Sequence, residues 1–300
     1  MLYESAHLRI TVEFGIATVW LGFPGAPVNA LDAAGFRELE AAFAALERHP
    51  HVRIVVVRSA KPAGFCTGVA PRALDSLSTP ADRAAFSWLG QEVLARLAAL
   101  RAVTIASIEG PCLGAGLELA LACDYRLCVS SSRTHLGFPN RIAAFGGSVR
   151  LRNRMGTRNA RRFIASGRTI SGREARALGI VDRAFCERRA KIELHSFLDE
   201  IERGEWVPRR RAVLGGFAAE RRRFAMACPA IARPLPAELP ISVALARGFI
   251  TPFEAEQLRK REAAIAIPAA SELVPKFEFV AARLPYMHAP QSLQQTSARP

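Results

Sequence analysis

Short apolar segments alternate with longer amphipathic ones from about residue 8 to residue 185, and this alternation restricts the possible folds strongly. The apolar segments at 52–59 and 103–110 are rich in Val, Ile and Ala. Such runs are typical of strands that are covered on both faces. Segments with helical spacing lie between them, at 29–49 and 81–100. The order strand, helix, strand, helix predicts an α/β fold with covered sheets.

Local signals predict further elements. The β-branched and aromatic residues on both sides of Gly15 predict a hairpin over 8–21. Asp32 is a suitable N-cap for the helix within 29–49. We also expect a short helix at 115–123, a strand at "YRLCVS", helical segments at 148–165 and 172–178, and a strand at 179–185.

The pattern changes beyond about residue 186, where helical pieces alternate with prolines. Within this part, 251–267 is predicted to be a helix, because Thr251 is followed three residues later by Glu254 in a capping-box pattern. The last dozen residues are polar, and we expect them to be frayed. We therefore predict a core over residues 1–200 and a divergent helical region over 201–300, with the boundary near 195–205.

The charge of the chain is strongly positive, with a formal net charge of +14. A basic protein suits polyanionic partners such as nucleic acid or phosphorylated ligands. Almost all of the excess is arginine, however, and arginine together with abundant alanine is also what a GC-rich genome produces. Genomic bias is the favoured explanation, so a nucleic-acid partner is not predicted. The arginine-rich runs at 150–162, 209–211 and 221–223 are interpreted as solvated helical faces.

The six cysteines form no C-x-x-C pair, and only one histidine, His135, lies near the middle group. This spacing predicts no metal site. The chain has no long uncharged run, and its start lacks a basic segment followed by an apolar one. We therefore expect no membrane insertion and no secretory signal, and we interpret the cysteines as reduced thiols of a cytoplasmic protein.

Glu118 is the one charged residue between Leu113 and Cys123, a run otherwise made of apolar residues and glycine. A carboxylate that leaves water in such a run is costly, because burial disfavours its charged form. Glu118 therefore either faces a cleft or is buried with a raised pKa and a chemical task. A third interpretation is a structural glutamate satisfied by backbone amides or an arginine.

Two glycine-bearing loops each follow a predicted strand, "FCTGVAP" and "GPCLGAG". The second loop opens the helix that carries Glu118, and a helix N-terminus offers unpaired amide donors. Amides from both loops could bind one oxygen and form an oxyanion hole. On spacing alone, tight turns and close packing are the favoured explanation of the glycines.

The motifs in combination resemble the crotonase (enoyl-CoA hydratase/isomerase) superfamily. The resemblance is carried, in order, by "NALD", "VRIVVVRS", "FCTGVA", "IEGPCLGAGLELALACDYRL", "LGFPN", "GGSVRLRNRMG" and "ASGRTISGREARALGIVDRAF". It implies a crotonase-like spiral of ββα turns that acts on acyl-CoA thioesters, as in fatty acid metabolism, and that assembles as a homotrimer or a hexamer. The region beyond 200 does not resemble the usual family ending.

The resemblance assigns roles to particular residues. The amides of Val69 and Ala115 would hold the thioester oxygen as it gains enolate charge, with Gly68 and Gly114 beside them. Glu118 matches the first catalytic glutamate of the family. The family's second glutamate is replaced by Asn140, whose carboxamide can orient water but does not exchange a proton near neutral pH. The loop after Asn140 also looks shortened.

Simple two-glutamate hydration is therefore in doubt, and a single base favours isomerisation or protonation of an enolate. His135 and Arg141 lie nearby in sequence, but a structural role is favoured for both. The resemblance also places Val28 and Ala30, within 27–31, along the coenzyme A chain, and Arg72 near its phosphates. No separate cofactor is implied, because coenzyme A is part of the substrate.

The predicted function is hydration or isomerisation of an enoyl thioester, carried by coenzyme A or by an acyl carrier protein. Two alternatives stay open at this point. One is decarboxylation on the same scaffold, and the other is a non-catalytic, RNA-binding crotonase homologue, which the positive charge and Asn140 motivate.

Overall fold

The computed structural model of the chain describes residues 1–206, the side chain of residue 81 excepted, and confirms a mixed α/β architecture. Its strands are β1 (Tyr3–Glu4), β2 (Leu8–Glu13), β3 (Ile16–Leu21), β4 (Ile54–Ser59), β5 (Val103–Ile108), β6 (Cys112–Leu113), β7 (Tyr125–Val129), β8 (His135–Gly137), β9 (Thr169–Ser171) and β10 (Arg183–Phe185). Its helices are α1 (Ala33–Glu47), α2 (Pro71–Asp75), α3 (Pro80–Ala99), α4 (Ala115–Ala122), α5 (Gly147–Met155), α6 (Thr157–Ser166), α7 (Gly172–Ala177) and α8 (Ala190–Glu202), with a 3₁₀ turn at Glu187–Arg189.

Seven strands form the main sheet in the order β1-β2-β3-β4-β5-β7-β10. The predicted hairpin of β2 and β3 is antiparallel, and its turn uses positive φ angles at Phe14 and Gly15. From β3 onward, all neighbouring strands are parallel, because helices return the chain to the same edge of the sheet each time. A second sheet of three short strands, β6-β8-β9, lies where β6 leads into α4.

The main sheet is covered on both faces, as its apolar strands predict. In β4, Val55 and Val57 belong to the large core with α1, α3 and α4, whereas Ile54 and Val56 face the opposite side. This alternation follows from the two-residue repeat of a strand. On the second side, Phe197 of α8 packs in the apolar cluster that covers Ile54 and Val56.

The N-terminal capping prediction is confirmed, since the Asp32 side chain accepts a hydrogen bond from the amide of Gly35 at 2.8 Å. The segment predicted as one helical stretch at 148–165 is two helices, because Gly156 interrupts it with a φ of 79°. α8 and the short strands of the second sheet are absent from the sequence prediction. The predicted helix at 251–267, the frayed tail and most of the region 201–300 lie outside the described residues, so the domain boundary stays a prediction.

Candidate active site

α4 is the helix that carries Glu118, and all of its residues are buried. The chain reaches it from β5 through Gly110 and the two residues of β6, and Gly114 then takes a φ of 49° at the N-cap. No side chain caps this helix end. The amide of Glu118 donates to the Gly114 carbonyl oxygen at 3.0 Å, so Glu118 lies one turn into the helix.

The two glycine-bearing loops are in direct contact. The amide of Leu113 donates to the carbonyl oxygen of Cys66 at 2.9 Å. A methyl group at Gly116 would lie 2.3 Å from that same carbonyl oxygen, so only glycine lets α4 approach the first loop this closely. A methyl group at Gly68 would lie 3.6 Å from the amide nitrogen of Ala115. The two glycine-bearing loops are therefore packed against each other at Gly68 and Gly116.

The amides of Val69 and Ala115 lie on either side of this contact. Within residues 1–206, neither amide donates a hydrogen bond to a protein acceptor. The neighbouring groups are engaged, since the Gly68 carbonyl accepts from Leu31 at 2.7 Å and the Ala70 amide donates to Leu31 at 2.8 Å. Two unpaired donors on touching loops can bind one oxygen atom that gains negative charge.

The carboxylate of Glu118 is buried, with 1% of the residue exposed, and it accepts three backbone hydrogen bonds. Its Oε2 accepts from the amides of Phe145 and Gly147, each at 2.7 Å, and its Oε1 accepts from Ala144 at 3.0 Å. Burial raises the pKa of Glu118 to about 7, against the lowering effect of these amides and of Arg150. A group with this pKa exchanges protons readily at neutral pH.

The loop after Asn140, which looks shortened in the sequence, supplies all three amides. It is anchored on α3, where Ser87 Oγ and Gln91 Nε2 donate to the carbonyl oxygen of Ala144 at 2.6 and 2.9 Å. The ring of Phe145 packs between Phe36 and Phe86, with centroids 5.0 and 5.5 Å away. Sequence reasoning missed these anchors. The paired glycines at the start of α5, Gly146 and Gly147, are the one local signal that could have pointed to this loop.

Gly90 and Gly147 make the arrangement possible. A methyl group at Gly90 would lie 2.2 Å from the Phe145 ring, and one at Gly147 would lie 2.6 Å from Cγ of Glu118. Gly90 therefore leaves room for the Phe145 ring, and Gly147 leaves room for the Glu118 side chain. A larger residue at either position would displace that side chain and break its packing or its hydrogen bonds.

Asn140 lies in a turn closed by a 2.8 Å hydrogen bond from the Arg141 amide to the Phe138 carbonyl. Its Oδ1 is buried and has no hydrogen-bond partner among residues 1–206. No hydrogen bond joins Asn140 to Glu118 in this part of the chain. The Arg141 side chain lies beside Gly167, where a methyl group would be 3.2 Å from its Nε.

The 27–31 segment, assigned to coenzyme A, pairs with the first loop, since the Thr67 amide donates to the Asn29 carbonyl at 2.9 Å. Asn29, between Val28 and Ala30, is fully buried and accepts from the Phe23 amide at 2.9 Å while its own amide group donates to Phe65 at 2.9 Å. This fixes the 27–31 segment beside the loop. Arg72 points toward the neighbouring turn, where a methyl group at Gly25 would lie 3.5 Å from its guanidinium.

The buried cysteines near these loops are unsuited to nucleophilic chemistry. Cys66 and Cys112 are free thiols, and burial raises the pKa of Cys66 to about 12. The thiol form therefore prevails at neutral pH. Within residues 1–206, no cluster of three or more His, Cys, Asp or Glu side chains could hold a metal ion, and no helix there is long and apolar enough to cross a membrane.

Comparisons with known proteins give the family. Residues 12–204 match the family described as enoyl-CoA hydratase/isomerase. The fatty acid oxidation complex subunit alpha of Vibrio campbellii is 37% identical over 179 residues, which are 58% of this chain and 25% of that protein. Its counterpart from Vibrio vulnificus is 37% identical over 183 residues, with 60% and 26% covered. The chain thus spans about a quarter of the length of these relatives.

Two solved structures show the shared fold. A Magnetospirillum magneticum structure described as an enoyl-CoA hydratase/carnithine racemase is 25% identical, with a TM-score of 0.64 over 88% of this chain and 95% of that one. An enoyl-CoA hydratase from Polaromonas sp. JS666 is 24% identical, with a TM-score of 0.58 over 65% and 76%. Because the family match extends from the first hairpin through α8, the chain belongs to the enoyl-CoA hydratase/isomerase family and has the crotonase fold.

Proposed function

We propose that this chain moves a double bond in an enoyl thioester by carrying a proton from C2 to C4, with Glu118 as the only acid/base. The observation that carries the proposal is the contact between the two loops. This contact sets Gly68 against the start of the helix that carries the buried Glu118, and the neighbouring amides of Val69 and Ala115 have no protein acceptor within residues 1–206, which supports their assignment as oxygen-binding donors.

The reaction begins when Glu118 removes a proton from C2 of a 3-enoyl thioester. The electron pair moves onto the thioester oxygen, which gains negative charge as a dienolate. The amides of Val69 and Ala115 donate to this oxygen. Such donors are most effective when they are already oriented and shielded from water. Glu118 then returns the proton to C4, which gives the conjugated 2-enoyl thioester.

The hydrogen bonds of Glu118 indicate which of its oxygens carries the proton. An ionised carboxylate oxygen accepts about two hydrogen bonds. Oε2 already accepts two, from Phe145 and Gly147, whereas Oε1 accepts one, from Ala144. We assign the proton to the remaining site on Oε1.

Asn140 supports isomerisation over hydration. Hydration needs one group to activate water and another to deliver a proton, and a carboxamide can do neither near neutral pH. Shuttling one proton between two carbons needs a single base.

Wild-type protein is expected to isomerise a 3-enoyl-CoA and to hydrate the matching 2-enoyl-CoA at least tenfold more slowly, because acid–base help from one group is worth roughly 10²–10⁴-fold. Absorbance of the conjugated thioester measures both reactions. A thermal-shift panel of acyl-CoA, acyl carrier protein and an RNA oligomer separates the proposed substrates from an RNA partner, since a ligand of the folded state raises the melting temperature. Stabilisation by RNA alone, with no thioester turnover, would contradict the proposal.

Asn140→Glu is expected to raise hydration of a short 2-enoyl-CoA by about 10²-fold, the lower end of the general acid–base range. The gain is limited because a misplacement of about 1 Å can cost on the order of 10²-fold, and the shortened loop alters this region. Asn140→Gln is the matched control, since it adds the same length without a group that exchanges protons. Equal hydration rates for both variants would show that this position does not limit the reaction.

Substrate binding and assembly complete the proposal. Val28, Ala30 and Arg72 would line the coenzyme A chain and meet its phosphates through charge-assisted contacts. Assembly as a homotrimer or hexamer, in the cytoplasm, is proposed from the family resemblance.

A further inference from the structure

Arg126, on β7, has a fully buried side chain whose donors all point at the end of α4 and at the chain before β10. Its Nη1 donates to the carbonyl oxygens of Ala120 and Cys123 at 3.3 and 2.6 Å. The last carbonyls of a helix have no partner within the helix, so Arg126 closes the C-terminal end of α4. Its Nε donates to Ile180, and its Nη2 to Asp124 and to the carboxylate of Asp182.

Asp182 joins this arginine to a second one on α5. Its Oδ2 accepts from Arg126 Nη2 at 2.6 Å, and its Oδ1 accepts from Arg154 Nη2 at 2.5 Å. Arg154 also donates to the Gly179 carbonyl at 2.8 Å. Burial would raise the pKa of Asp182, but the two arginines and the Arg126 amide hold it below its usual range, so the group stays ionised.

The two helices joined through Asp182 are the ones that meet at Glu118. α4 carries the carboxylate, and Gly147, the first residue of α5, donates one of its three hydrogen bonds. Arg126 and Arg154 hold the far ends of these helices, through the carbonyl oxygens and the Asp182 carboxylate described above. A change at Asp182 can therefore reach Glu118 through the positions of α4 and α5.

We infer that Asp182 and Arg154 are positioning residues for Glu118. They hold α5 close enough to α4 for the Gly147 amide to reach the Glu118 carboxylate. The groups that act most strongly on Glu118 are the amides of Ala144, Phe145 and Gly147 and, from α5, the charge of Arg150. Both kinds of contact stabilise the ionised form. Releasing α5 withdraws the Gly147 amide and Arg150 together, so the carboxyl group should hold its proton more tightly.

Arg154→Met tests this inference. The side chain of Arg154 is 12% exposed, at the edge of the buried pair, whereas removing Arg126 would leave deeper groups unpaired and threaten folding. We expect the pKa of Glu118 to rise by about one unit, the effect of losing one hydrogen bond to a charged group. The readout is the ¹³C NMR titration of labelled glutamate carboxyls, with Glu118→Gln to assign the signal.

Two further variants complete the experiment. Arg152→Met removes the same charge from the same last turn of α5 without touching Asp182, and it should leave the titration unchanged. Arg154→Lys keeps a cation near Asp182 and should give an intermediate shift. A folded Arg154→Met protein with an unchanged Glu118 titration would overturn the inference.

The activity readout rests on the proposed function, but the titration does not. The pH at which isomerisation reaches half its maximal rate should rise by the same amount in Arg154→Met as the titration midpoint. If the wild-type protein turns over no enoyl thioester while the titration shifts as expected, the proposed function fails and the positioning role holds.

Discussion

Glu118→Gln is expected to lower isomerisation of a 3-enoyl-CoA by at least 10²-fold, and by up to about 10⁴-fold, while affinity for the thioester changes by no more than a few-fold. The loss follows from removing the only group assigned to proton transfer. Gln has nearly the same shape, and its carbonyl oxygen can still accept from Phe145 and Gly147. Steady-state kinetics and thermal shift with a saturated acyl-CoA separate turnover from binding.

The same carboxylate predicts the pH dependence of the wild-type enzyme. Because burial raises the pKa of Glu118 to about 7, the base form is depleted below that pH, and kcat/KM should rise as the pH increases through about 7. In Glu118→Gln this dependence should disappear together with the activity.

The side-chain NH₂ group of the introduced glutamine faces the backbone N–H of Ala144. Because both groups are donors, the hydrogen bond to Ala144 is lost, and this loss is expected to destabilise the fold by about 1–3 kcal/mol. Circular dichroism and the melting temperature must therefore show that the variant is folded. Glu109→Gln is the control, because it removes a surface carboxylate that pairs with Arg58 outside this loop. A folded Glu118→Gln enzyme with turnover within tenfold of wild type would remove Glu118 from the mechanism.

Val69→Pro is expected to lower kcat by roughly 10²–10³-fold, the cost of losing one oxyanion donor. Proline has no N–H, and the Val69 amide is not used in the surrounding hydrogen bonds, which run from Leu31 to Gly68 and from Ala70 to Leu31. The substitution therefore removes the proposed contact to the substrate but keeps the two backbone hydrogen bonds between this loop and Leu31. Single-turnover measurements on the isomerase substrate give the effect on the chemical step.

Val69→Ala is the matched control, because it shortens the same side chain and keeps the amide. It should retain activity close to wild type. Equal losses in the alanine and proline variants would assign the effect to packing, and a folded, fully active proline variant would show that this loop does not bind the oxygen.

Local patterns in the sequence predicted much of the secondary structure, because they act over a few residues. The β2–β3 hairpin, the Asp32 cap of α1 and the buried strands β4 and β5 follow from glycine placement, capping and apolar runs, and all are present. The sequence prediction missed α8 because an arginine-rich stretch precedes it and prolines follow it, and these obscured the helical spacing of its apolar residues. Phe197 and Ile201 on the apolar face of α8 pack against the sheet.

The sequence by itself determined which residues could carry the chemistry: one glutamate in an apolar helix, two loops whose glycines permit close approach, and an asparagine at the position where the resemblance predicts a second glutamate. Only the tertiary structure decided how they are arranged. The loop contact at Gly68 and Gly116, and the anchoring of the 144–147 loop on Ser87, Gln91 and two phenylalanine rings, join residues far apart in the chain. The local periodicity of the sequence does not indicate which distant residues will be in contact. The raised pKa of Glu118 depends on this burial, so it too is a property of the folded chain.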